Sequence, residues 1–81
     1  MSTEIDATET LDVKGLNCPM PVVKAKGAID DLDAGEVLEV VATDSGSMSD
    51  IRGWADAIPG VELLSQTEGD GVFTHYLRRT E

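Results

Sequence analysis

The sequence predicts an α+β fold, a two-layer α/β sandwich whose elements run β-α-β-α-β-β. Apolar residues alternate with a period of two in the first segment, a β-branched-rich run apolar on both faces and two runs flanking a glycine turn mark three more strands, and apolar residues recur at spacings of three and four in two other segments. Turn-forming Gly, Pro and Asp residues separate the segments. Right-handed crossovers place both helices on one face of the sheet when strands are added appropriately, but the element order alone leaves the strand positions open.

The first strand spans Glu9 to Val13, with Leu11 and Val13 on one face, and ends at Gly15. A helix follows to about Leu32, with Val22, Ala25, Ile29 and Leu32 as its buried stripe. Asp33-Ala34-Gly35 turns the chain into Glu36 to Thr43, where Leu38, Val40 and Ala42 point one way and Val37 and Val41 the other. Apolar side chains on both faces mark an interior strand. Ser47-Met48-Ser49-Asp50 resembles a capping box with Asp for the usual Glu, and opens a second helix striped by Ile51, Trp54, Ala55 and Ile58. Pro59-Gly60 stops it. Val61 to Glu68 and Val72 to Arg79 form a hairpin across Gly69-Asp70-Gly71.

At 81 residues the chain holds one modest core, expected over 9–81, while Met1 to Thr8 is acidic and aperiodic and reads as a flexible tail. The 16 acids against 6 Lys and Arg give a formal net charge of −10. Direct nucleic-acid binding is disfavoured, because phosphate neutralisation needs clustered cations. So acidic a surface fits a protein adapted to high salt, where ions screen self-repulsion. No apolar run approaches the roughly 20 residues that span a bilayer, and the N-terminus lacks a basic-then-apolar leader. Both point to the cytoplasm.

Cys18 is the single cysteine, set in Asn17-Cys18-Pro19-Met20-Pro21 at the head of the first helix. Helix N-termini carry unpaired N–H groups and a partial positive charge, which favour thiolate over thiol. Two registers fit. With Pro19 at the first helical position Cys18 is the N-cap; alternatively Pro21 disfavours α geometry at Met20 and delays the start to Pro21 itself. In either, the Met20 and Val22 amides are the ones left to face the sulfur, since prolines have no N–H. A lone cysteine is ordinarily a small buried hydrophobe, but flanking Asn and Pro argue for exposure here. One cysteine excludes an internal disulfide, and with one histidine there is no Cys/His cluster for zinc, so neither metal nor cofactor is expected.

The run Gly15-Leu16-Asn17-Cys18-Pro19-Met20-Pro21-Val22-Val23-Lys24-Ala25-Lys26 resembles the signature of the TusA family of sulfur carriers, the SirA-like group. The likeness extends from Leu11 to Arg79. Gly35 to Asp44 is similar to the family's second strand and its Asp-ended turn, and Asp50-Ile51 with Trp54 to its second helix. Many members have proline where this chain has Ser45 and Arg52, and a longer side chain where it has Gly27, which weakens a helix by about 1 kcal/mol relative to Ala. Those departures bear on partner choice and leave the cysteine segment intact. The resemblance implies a four-stranded mixed sheet with two helices on one face. It also implies persulfide sulfur held on Cys18, with Asn17, Pro19, Met20 and Pro21 as its surroundings.

The function so implied is relay of sulfur from a cysteine desulfurase or rhodanese-like donor to an acceptor in tRNA thiolation, molybdenum-cofactor assembly or sulfur metabolism. The chain would act as a monomeric sulfurtransferase-type carrier without a turnover reaction of its own. A regulatory interaction module, using the open sheet face around Val37 and Val41 and carrying an incidental or redox-sensing cysteine, is the alternative. A thiol peroxidase is disfavoured, as no second cysteine completes its cycle. His75, between Thr74 and Tyr76 in a strand, reads as structural, Trp54 as core, and Asp44 and Asp50 as caps of the second helix. Met20 beside the thiol is a candidate to guide docking or shield a persulfide.

Overall fold

The computed structural model describes residues 6–17 and 19–81. Its elements are β1 (Glu9–Val13), α1 (Met20–Asp30), β2 (Val37–Ala42), α2 (Ser47–Ala57), β3 (Val61–Gly69) and β4 (Val72–Arg79). The sheet order is β1-β2-β4-β3, with β1 parallel to β2 and the remaining neighbours antiparallel. β2 is interior, as its two apolar faces require. Both helices pack on the face bearing Val13, Leu38, Val40, Ala42 and Leu77, and Ala25, Ile29, Ile51 and Ala55 meet them there. This is the two-layer sandwich and mixed sheet that the sequence and its resemblance imply.

β3 and β4 join through a tight turn at Asp70-Gly71, both in the left-handed region at φ 55° and 79°. That pairing matches the right-handed twist of the strands and favours Asp-Gly at the two central positions. A bulge between Leu63 and Ser65 adds one residue to β3. Without it, Gln66 and Ser65 would exchange faces.

Both helices begin elsewhere than expected. α1 starts at Met20, with Pro19 as N-cap and Pro21 inside the first turn, so neither of the two registers read from the prolines applies and the N-cap expected at Cys18 falls on Pro19. Met20 adopts helical geometry despite preceding a proline because its N–H donates to the Asn17 carbonyl at 2.9 Å while Val23 N–H donates to the Pro19 carbonyl at 3.0 Å. Of the expected stripe Ala25, Ile29 and Leu32 are buried in the core. Pro21 joins them, and Val22 is only partly covered. The helix ends at Asp30, short of Leu32, and the Asp31 and Leu32 amides close it on Ala28 and Ile29. Arg79 reaches across from β4 to donate to the carbonyls of Ile29 and Asp30, satisfying acceptors that a helix C-terminus leaves open.

α2 has Gly46 as its N-cap and no side-chain cap bond, so the capping box at Ser47 to Asp50 does not form. Ser47 is instead buried and turned into the core.

Candidate functional site

Parallel pairing of β1 and β2 brings the loop before α1 and the loop before α2 to one edge of the sheet, and the β3–β4 turn arrives there too, since β4 runs against β2. Ligand sites of α/β folds collect at this edge, the carboxyl ends of parallel strands. Cys18 itself lies outside the described residues. Its sequence neighbours are well defined: Asn17, Pro19 and Met20 are exposed, while Pro21 is buried and anchors the first turn of α1.

The loop leading to position 18 is held at successive amides. Lys14 N–H donates to the Asp12 carboxylate at 3.0 Å, Gly15 N–H to the Thr43 hydroxyl at 2.9 Å and Leu16 N–H to the Val13 carbonyl at 3.2 Å. Gly15 sits at φ 85°, a conformation that glycine adopts without strain. Leu16 packs against the core. The Met20 amide is engaged by Asn17 and is therefore not the free donor that the proline pattern implied. Met20 and Val23, 39% and 53% accessible, are the exposed large apolar side chains of the described residues, both on the outer side of α1 near its start.

On the neighbouring loop the Asp44 carboxylate accepts from Gly46 N–H at 3.2 Å, and the Asp44 carbonyl accepts from Ser47 N–H at 2.9 Å. Asp44 thus closes a turn on Gly46 just before α2 without capping the helix itself, and Asp50 stands in its first turn, so neither aspartate supplies the side-chain cap expected of it.

His75 is wholly buried. Gln66 fixes its tautomer: the Gln66 side-chain nitrogen donates to the Met48 carbonyl at 2.8 Å and lies 3.0 Å from His75 Nδ1, so Nδ1 accepts. Nε2 then carries the proton and donates to Ser47 Oγ at 3.1 Å. The ring is a neutral strut tying β4 and β3 to the start of α2, in keeping with the structural role read from its strand context. Gln66 and the inward turn of Ser47 were not legible in the sequence, because these partners stand 9 and 28 residues from His75. Trp54 packs partly buried against the core, as its place on the helical stripe requires.

Burial lowers the His75 pKa below its ordinary 6.5 by desolvating the imidazolium. The unfolded chain therefore binds this proton more readily than the folded one, and stability present above about pH 6.5 is lost as pH falls towards the folded value. Protonation would also set an N–H of the ring against the Gln66 amide. Thermal melts from pH 7.5 to 5 should thus show a steeper acid-side loss in the wild type than in His75→Gln; parallel curves would contradict the strut.

The opposite face of the sheet carries a polar network around Glu39, which accepts from Thr10 Oγ1 and from Tyr76 Oη, each at 2.9 Å. Arg78 pairs with Glu62 beside it. Val37 and Val41 are half-buried there. Among the described residues no helix is long and apolar enough to cross a membrane.

Comparison with known proteins places these features in context. The family profile described as Sulfurtransferase TusA matches residues 9–79. A Halobacterium salinarum protein whose name gives it provisionally as a sulfur carrier is 68% identical over 81 residues, the whole of both chains. The sulfur carrier protein TusA of Allochromatium vinosum is 42% identical over 72 residues, covering 89% of this chain and 92% of its own. The crystal structure of a SirA-like protein from Desulfitobacterium hafniense superposes with a TM-score of 0.72 at 29% identity, covering 91% of this chain and 100% of that one.

Proposed function

The chain belongs to the TusA family of sulfurtransferases, and from that premise we propose that it is a sulfur carrier whose reacting group is Cys18. The observation that carries this reading is a single cysteine in Asn17-Cys18-Pro19-Met20-Pro21, between a loop tied down amide by amide and the first turn of α1. In the proposed step the Cys18 thiolate attacks the outer sulfur of a donor protein's persulfide. The new S–S bond leaves Cys-S-SH on this chain and releases the donor cysteine as thiolate. An acceptor nucleophile then attacks that outer sulfur and regenerates the Cys18 thiolate.

The sequence supports a carrier over a dithiol redox protein, because a second cysteine would attack the persulfide, expel sulfide and close a disulfide. Asn17, Pro19, Met20 and Pro21 form the sulfur's surroundings, and exposed Met20 is the side chain placed to meet a docking partner. The donor is a desulfurase or rhodanese-like protein and the acceptor a protein of tRNA thiolation, molybdenum-cofactor assembly or sulfur metabolism. Residues 9–81 act as one monomeric domain in the cytoplasm of a salt-adapted cell, preceded by a tail over 1–8. Sulfur labelled in cysteine and passed through a desulfurase should appear on this chain and leave it when an acceptor is added. Label that never leaves would make the chain a sulfur sink and defeat the proposal.

A further inference from the structure

Thr43 ends the chain's passage along β2 and stands on the loop opposite the cysteine segment, 28 residues from Gly15 in sequence, with its hydroxyl accepting the Gly15 N–H at 2.9 Å. That bond is a side-chain link between the two loops at this edge, and it acts on a glycine whose φ of 85° marks the point where the chain turns from β1 towards position 18. The neighbouring amides are satisfied from within the loop's own strand, at Asp12 and Val13, so beyond the Val13–Ala42 pairing of the two strands Thr43 adds a tether between this loop and the residue that follows β2. We propose that Thr43 is a positioning residue for sulfur transfer: by holding Gly15 it fixes the course of the loop that leads to position 18 and tunes how readily the Cys18 thiol reacts.

The inference rests on the sulfur-carrier reading for its functional meaning, but its geometry does not. Thr43 is exposed, so removing its hydroxyl leaves the core untouched. Thr43→Val is expected to keep the wild-type melting temperature within a few degrees, to speed hydrogen exchange at the Gly15 amide, and to slow both Cys18 alkylation by iodoacetamide and persulfide loading by about threefold, the lower end of what one neutral hydrogen bond is worth. Thr43→Ser, which keeps the hydroxyl, should restore all three. Thr43→Ala serves as the second deletion should valine perturb the fold.

Alkylation and loading at wild-type rates in folded Thr43→Val or Thr43→Ala would overturn the proposal, as would failure of Thr43→Ser to restore them. Alkylation needs no persulfide, so it separates the two claims. A wild type that never takes up sulfur while Thr43→Val still slows alkylation sinks the carrier reading alone; a wild type that loads normally beside an unaffected Thr43→Val sinks the positioning role alone.

Discussion

Cys18→Ser should lose all sulfur loading and all onward transfer while keeping the wild-type melting temperature and its association with donor and acceptor proteins. Serine is close in size to cysteine, but its hydroxyl stays protonated near neutral pH and forms no persulfide. The change therefore removes chemistry and leaves shape. Loss should reach assay background, since no second cysteine exists to substitute. The contrast also separates the carrier from a regulatory interaction module. A module whose cysteine is incidental would retain its biological effect in Cys18→Ser, and retained effect would shift the reading towards the half-buried apolar positions Val37 and Val41 on the open face.

Raising KCl from about 0.1 M to 2 M should raise the melting temperature by on the order of 10 °C, the shift that about 2 kcal/mol produces in a domain of this size. The cause is the acidic excess. Of six basic residues, Lys14 and Arg78 pair with Asp12 and Glu62, and Arg79 is occupied by backbone carbonyls, so few cations remain to offset 16 acids. The screening length falls from about 10 Å at 0.1 M to about 3 Å at 1 M, which removes repulsion between acids spread over so small a surface. Neutralising exposed acids by Asp31→Asn, Asp56→Asn and Glu68→Gln should flatten the dependence. A wild-type melting temperature constant across the range would remove the salt-adaptation reading and leave the sulfur chemistry standing, because the two rest on different residues.

What could be read in advance follows from where the determining contacts lie. β1 has the bounds that alternation gave it, β4 those that the hairpin reading gave it, and Asp70-Gly71 turns where its composition demands, because those signals are local. The two registers could not be resolved from the prolines alone. Each proline prefers a different start, and the outcome at Met20 depends on the Asn17–Met20 and Pro19–Val23 bonds. Ser47 carries the composition of a cap yet serves as a buried partner, since His75 needs an acceptor for its Nε2 proton and the only sign of that need lies 28 residues away. The Leu63-Leu64 pair did break alternation in β3, a visible trace of the bulge. Cys18 can be proposed as the reacting group because proline, asparagine and the absence of other cysteines are sequence facts, while the residue itself lies outside the described residues. Thr43 was not legible, since a hydroxyl at the end of a strand gains its meaning only when Gly15 arrives beside it.

Intact-mass measurement of the chain after incubation with a cysteine desulfurase and cysteine tests the central claim most directly. A carrier gains one sulfur, about 32 Da, on Cys18, and returns to its starting mass on treatment with a thiol reductant, which takes the outer sulfur as sulfide. An unchanged mass with several persulfide donors, in protein whose Cys18 still alkylates, would contradict it.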